Sequence, residues 1–281
     1  MQTMPKKYYV FFTLPTFIAF LISFFIPFLF GIYLSFTKFT TVTNSQWIGI
    51  SNYIRAFSEN RDFINAAIFT AKFALVSAVL INLFAFILAL LLTQKIRATN
   101  IFRTIFFMPN LIGGIVLGYI WQLIINGILI KFGVDITYSA NYGFWGLVVL
   151  MNWQMVGYMM IIYIAGLQSI SPELFEAAKI DGANAWQILK GITIPLVMPA
   201  VTICTFLTVT NSFKLFDQNL ALTAGAPAKK SAMLALDIFN TFYGRIGYEG
   251  VGQAKAVVFF LFVGLIVLLQ LYISRRRELE A

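Results

Sequence analysis

Between two apolar runs the chain reads Ser171-Pro172-Glu173-Leu174-Phe175-Glu176-Ala177-Ala178-Lys179-Ile180-Asp181-Gly182-Ala183-Asn184-Ala185-Trp186-Gln187-Ile188-Leu189-Lys190. Ser171 suits an N-cap, and Pro172 suits the first helical position, where a missing N–H has no partner to lose. Glu173 and Glu176 fall in the first turns, where the positive end of the helix dipole favours carboxylates. Gly182 permits a change of direction, and a second helical stretch leads into the next apolar run. The segment therefore reads as helix, turn, helix. The character of its flanks places it at a membrane surface.

Those flanks belong to a chain of 281 residues that is 60% apolar, 17% aromatic and only 11% charged, with a mean hydropathy of +0.84. Soluble domains are about half apolar and a quarter charged. Thirty Phe against no His exclude a water-soluble globule and a disordered tail. What remains is an all-α polytopic membrane protein. Without His, and with Cys204 as its one cysteine, the chain has no His-containing zinc site, no Cys–His pair and no internal disulfide. The absence of a Gly-Lys dipeptide removes the phosphate-binding P-loop, so nothing points to ATP hydrolysis by this chain. The net charge of +9 reads as basic residues gathered at span ends beside lipid headgroups, not as a nucleic-acid signal.

A bilayer core about 30 Å thick needs roughly 20 apolar residues at 1.5 Å rise each. Six runs satisfy this, near 10–36, 64–93, 105–127, 144–167, 195–216 and 255–274. Lys6 and Lys7 precede the first, which is too long for a signal peptide's apolar region and lacks a small-residue cleavage site. It is expected to be a retained helix, with Pro15 and Pro27 as tolerated kinks. Six crossings put both termini on one side. Three basic residues in 94–104 (Lys95, Arg97, Arg103) and Arg275, Arg276 and Arg277 in the tail, against Lys131 alone in 128–143, orient both termini to the cytoplasm. The chain then divides into 1–63 (first helix and extracytoplasmic connection), a core of five helices over 64–274, and a cytoplasmic tail over 275–281. The connections 37–63, with an amphipathic stretch around residues 53–63, and 217–254, with a Gly-rich run over 243–252, face outside. Each is either a contact surface for a soluble partner or a solvated loop.

On the helix that follows Ser171, the spacing of Leu174, Ala177, Ala178 and Asp181 at three and four residues makes a face of small side chains, with Glu176 offering a carboxylate. Such a face fits a groove of a cytoplasmic partner, or simply lies on the membrane. Glu176-Ala177-Ala178, Asp181-Gly182-Ala183, Ile192-Thr193-Ile194-Pro195 and Pro199 resemble the EAA motif of importer-type ABC transporter permeases, with Leu189 where that family commonly has Phe. Phe216-Asp217 and Leu222-Thr223-Ala224-Gly225-Ala226-Pro227 resemble the FD and LTxGGP signature of the carbohydrate-uptake permeases of the maltose and glycerol-phosphate group, with Ala226 replacing a Gly.

The resemblance implies a type I importer permease fold in a bacterial cell membrane. It also implies a second homologous permease subunit (a heterodimer in the maltose-type arrangement), two ATPase subunits that use ATP and Mg, and an extracytoplasmic solute-binding protein. The chain itself would bind no cofactor and no metal and would carry no catalytic residue. Glu173, Leu174, Glu176, Ala177, Ala178, Asp181, Gly182 and Ala183 would form the coupling helix that docks in an ATPase cleft and drives alternating access.

Sugar sites need amides or hydroxyls beside aromatic rings. Span four offers Asn152, Trp153, Gln154, Tyr158 and Tyr163; span five offers Thr205, Thr208, Thr210, Asn211 and Ser212, then Lys214 and Asp217. The resemblance places Tyr158, Thr208, Asn211 and Ser212 where sugar contacts are made, with Asn152 and Trp153 beside them. The competing reading of each is a helix–helix hydrogen bond. Lys72 is expected to snorkel to headgroups, Asn82 to bond between helices, Gly113, Gly114 and Gly118 to allow close packing, and Cys204 to pack as a small apolar residue. Two other classes compete with the importer. An autonomous secondary transporter or channel lacks support, because no paired interrupted helices or intramembrane carboxylate relay are visible. A membrane-embedded enzyme would need a nucleophile–base pair at mid-span, and none is found.

Overall fold

A computed structural model describes residues 6–41, 43–59, 61–94 and 97–279; Lys95, one of the residues that orient the chain, lies outside them. The first span is built from α1 (Lys6–Phe20), a π-helical turn (Leu21–Phe25) and α2 (Ile26–Ser35). Strands β1 (Thr37–Thr41) and β2 (Asn44–Trp47) pair antiparallel, and α3 (Ser51–Ser58) follows. Then come α4 (Asp62–Leu92), α5 (Thr99–Phe107), a 3-10 turn (Met108–Leu111), α6 (Gly114–Leu129) and α7 (Ala140–Gln168). The segment quoted above forms α8 (Pro172–Ile180) and α9 (Ala185–Ile188), and a π-helical turn (Leu189–Thr193) joins α9 to α10 (Ile194–Phe213). The chain continues through α11 (Asp217–Leu222), α12 (Leu234–Gly244) and α13 (Glu249–Leu279). Among the described residues, six helical stretches are long and apolar enough to cross a membrane.

Three expected boundaries move, each for a local reason. The third span begins at Gly114 and not at 105, because Pro109 supplies no N–H and Ile112 and Gly113 are extended. The fifth begins at Ala185, since the π-helical turn carries α9 into α10 without a break and re-pairs the backbone ahead of Pro195. The sixth begins at Glu249, inside the expected Gly-rich loop. There Gly250 and Gly252 are helical, and the backbone packs where a side chain would not fit: a Cβ on Gly252 would lie 2.8 Å from Phe242 Cβ. The amphipathic stretch of the first connection also moves, to Ser51–Ser58.

The chain forms two compact units, Met1–Phe63 with Ile238–Leu261, and Ile64–Asp237 with Phe262–Ala281. In the first, Asn52 Nδ2 donates to the Ser35 and Thr37 carbonyls at 2.9 and 2.8 Å and ties α3 to the end of span one. Arg55 and Arg245 lie over the Tyr248 ring at 4.4 and 5.5 Å, paired with Glu59 and Asp62. The Arg55 hydrogen bond holds the Glu59 carboxyl below its ordinary range. In the second unit α7 is the central helix, buried along most of its length, with Met151, Met155, Met159 and Met160 filling its surroundings. Gly157 lets the α5 backbone cross it, for a Cβ there would overlap the Phe106 carbonyl.

One polar cluster inside the spans is paired from helix to helix, as an apolar medium favours. Tyr163 donates to Asn82 Oδ1 at 2.7 Å, and Asn82 Nδ2 reaches Thr208 Oγ1 at 3.4 Å. Asn82 thus bonds between helices as expected, Cys204 is fully buried, and Lys72 is exposed. Of the three glycines expected to pack closely, Gly114 and Gly118 do so; Gly113 has open space where a Cβ would be.

Candidate functional site

Two regions of the second unit gather the residues that sequence reasoning singled out. The first is a cavity of about 480 Å³ lined by Asn110, Gln154, Tyr158, Asn211, Lys214 and Gln218, with Met151, Met155, Leu207 and Leu215 as its apolar part. Tyr158 on α7 and Asn211 on α10 come from the two helices that form its sides. Asn110 arrives through the break in span three, where buried Pro109 ends the helical pattern. Gln218 is carried by α11, which seats tightly on α6: Cβ atoms on Gly114 and Gly118 would lie 2.7 Å from those of Asp217 and Ala221. Gln122 Nε2 adds a hydrogen bond to the Leu222 carbonyl at 3.0 Å.

The amides form a chain. Gln218 Nε2 donates to Gln154 Oε1 at 2.9 Å, and Gln154 Nε2 donates to the Ile112 carbonyl at 3.4 Å. Lys214 caps the C-terminus of α10, where a cation meets the negative end of the helix dipole. Among the described residues that line the cavity none is a carboxylate. Amides, a phenol and one ammonium beside methionine and leucine surfaces suit a polyhydroxyl solute with apolar faces.

The second region is the α8–α9 segment. Pro172 opens α8 as expected, but Ser171 makes no side-chain cap bond, although its backbone takes the N-cap conformation. At the other end Gly182 has φ +79°. Ala183 N–H donates to the Ala178 carbonyl at 2.9 Å and Gly182 N–H to the Lys179 carbonyl at 3.1 Å, the paired bonds of a Schellman C-cap. Asn184 and Gln187 then form a reciprocal capping box for α9, at 2.9 and 2.8 Å. Glu173, Leu174, Glu176, Ala177 and Asp181 are exposed, Ala183 is half-buried, and Ala178 is buried. Ala178 therefore packs inward and does not share the exposed face, because Phe175 on that same side packs against the core. Two exposed apolar side chains escaped the sequence reading: Ile180 at 86% and Trp186 at 68%. Neither has a partner signal in a single sequence.

Residues 81–279 match the model of a family described as the binding-protein-dependent transport system inner membrane component. The chain belongs to this family. It is 44% identical over 97% of its length, and 96% of the relative's, to the probable starch degradation products transport system permease protein of Thermoanaerobacterium thermosulfurigenes. It is 30% identical, covering 88% of each chain, to the multiple sugar-binding transport system permease protein of Streptococcus mutans. A chain of a bacterial alginate ABC transporter, solved in complex with an alginate pentasaccharide-bound periplasmic protein, superposes with a TM-score of 0.80 at 22% identity, covering 97% of this chain and 96% of that one. This inner membrane component thus has the six-span, all-α architecture of a type I ABC importer permease.

Within this transport component the six sugar-contact candidates separate. Tyr158 and Asn211 line the cavity. Thr208 and Ser212 are fully buried on another side of α10, where their hydroxyls donate to the carbonyls of Cys204 and Thr208 at 2.7 and 2.8 Å. Asn152 Nδ2 donates to the Val148 carbonyl at 2.8 Å, and Trp153 meets Trp121 edge to face at 5.8 Å. Neither lines the cavity. Asn110 and Gln218 were missed: both lie outside the expected spans or beside a proline, where the helical period carries no facing information.

Proposed function

We propose that this chain is the carbohydrate-conducting permease subunit of an ATP-driven importer and that an oligosaccharide passes through the Asn110–Gln154–Tyr158–Asn211–Gln218 cavity. The observation that carries this reading is the cavity's amide-and-phenol lining. The names of the sugar-transport relatives support the substrate class. Exchange of hydrogen bonds along the Gln218–Gln154 chain would give a sugar's hydroxyls donors and acceptors without fixing it too tightly to leave. Thr208 and Ser212, buried on another side of α10, support its wall from behind.

Energy comes from outside the chain in this reading. Two ATPase subunits receive the coupling segments of this chain and of a second homologous permease, and an extracytoplasmic binding protein delivers the solute. With both termini cytoplasmic, α8 and α9 meet the ATPase, with Leu174, Ile180 and Trp186 as apolar contacts and Glu173 and Glu176 as ionic ones. Gly182, Asp181 and Ala183 set the angle between the two helices. Closure of the ATPases on ATP then moves the spans between inward- and outward-facing states. The chain itself holds no cofactor.

Reconstitution of the complete transporter with its binding protein in proteoliposomes tests this. Uptake of a starch-derived oligosaccharide should require ATP inside the vesicle and should fall when Tyr158→Ala or Asn211→Leu is introduced. Uptake by this chain alone on an ion gradient would instead identify an autonomous transporter.

A further inference from the structure

In the first unit α3 is mounted the wrong way round for a helix in water. An amphipathic helix of a soluble protein turns its apolar stripe inward. Here the buried positions are Asn52 and Ala56, each 2% exposed, and Asn52 is fastened by two hydrogen bonds to the backbone at the end of span one. The Tyr53 hydroxyl and Ser35 Oγ add a third tie at 2.6 Å. The outward face carries Ile50, Ile54 and Phe57, exposed by 63%, 58% and 45%. At 100° per residue these three lie within roughly 60° of one another, and on the side away from Asn52 and Ala56.

The stripe does not end with the helix. Trp47, exposed by 63%, stacks on Phe36 at 5.4 Å and reaches Tyr33 at 6.0 Å, and Tyr33 is an exposed residue of span one. The patch is therefore continuous with the apolar surface that span one presents to the bilayer. Its position is fixed as well: α3 lies between Ser35, the last residue of the first span, and Asp62, the first residue of α4. Its charges are turned elsewhere, with Arg55 paired to Glu59 at 2.9 Å and lying over Tyr248. Trp and Tyr at the rim, an apolar helix face and a polar face satisfied by protein are the attributes of a helix seated in the membrane interface.

We propose that α3 is an interfacial helix whose Ile50–Ile54–Phe57 face, with Trp47, is embedded at the boundary between lipid headgroups and acyl chains, rather than a docking surface for a soluble partner. The lipid contact is apolar and independent of headgroup charge. This inference needs only that the chain spans a bilayer, so it stands or falls separately from the substrate reading. The complete transporter, with Cys204→Ser in this chain and the other subunits free of cysteine, is placed in nanodiscs of phosphatidylethanolamine and phosphatidylglycerol. Spin labels are then attached at Ile50→Cys, Ile54→Cys, Phe57→Cys and, as the reference away from this face, Thr41→Cys, exposed at the far end of the β1–β2 hairpin.

The ratio of oxygen to nickel-chelate accessibility should be several-fold higher at positions 50, 54 and 57 than at 41, with or without the binding protein. Ratios as low as at 41, or protection that appears only when the binding protein is added, would overturn the assignment. The unmodified transporter gives a second reading through a diazirine-bearing phospholipid. Carbene labelling of the peptide holding residues 47–57 supports the proposal, and labelling of α1 with none on that peptide refutes it.

Discussion

At Gly157 a hydrogen stands where any side chain would overlap the Phe106 carbonyl, so one residue sets how closely α5 crosses α7. Gly157→Ala should destabilise the protein by about 1–3 kcal/mol, the range for overpacking a close-packed interior. Gly127→Ala, in α6 with open space around it, should be neutral or stabilise by up to about 1 kcal/mol. Thermal unfolding of the two variants in one lipid mixture checks the contrast. Tyr163→Phe removes the hydroxyl that donates to Asn82 and should cost about 0.6 kcal/mol, the average for such intramembrane bonds. The sequence identified Asn82 as an interhelical group because an amide in an apolar run must find a partner. It could not name Tyr163 or Thr208 as that partner. Helical spacing tells which residues share a face, not which face of another helix lies opposite.

Among the elements, the α8–α9 segment was the most legible. Its cues are local: Pro172 at the first turn, carboxylates near the N-terminus, and Gly182 at a left-handed C-cap. Gly182→Ala forces a methyl into φ +79° and should cost about 1 kcal/mol, whereas Gly182→Asn should cost less. Asn184→Ala removes the capping box and should cost about 1 kcal/mol of α9 stability. Hydrogen exchange of residues 184–190 in the assembled transporter measures both losses. Co-purification of the ATPase with Trp186→Ala tests whether this exposed ring is a contact; retention at the wild-type level would remove it from the interface. The spans were less legible at their ends. Glycines over 243–252 read as loop until the packing of Gly250 and Gly252 shows that they are small to let helices approach.

For the whole molecule, the proposed solute path rests on groups that four separate segments, the 3-10 turn, α7, α10 and α11, bring to one cavity. If hydrogen bonds to the solute are made there, Gln154→Leu or Asn211→Leu should raise the oligosaccharide KM by up to about tenfold, as loss of about 0.5–1.5 kcal/mol per bond requires. Thr208→Val, buried on another side of α10, should leave KM unchanged and show its cost in thermal stability. Uptake assays on the reconstituted transporter separate the two. By itself the sequence determined the membrane class, the six apolar helices and the α8–α9 segment. Each of these follows from composition, local periodicity and capping, which act over a few turns of helix. Only the tertiary structure decided that Tyr158 and Asn211 line one cavity while Thr208 and Ser212 do not, that Asn110 and Gln218 join the lining, and that α3 turns its apolar face outward. Those outcomes depend on which helix faces oppose one another, and close packing at Gly114, Gly118 and Gly157 settles that across distant parts of the chain.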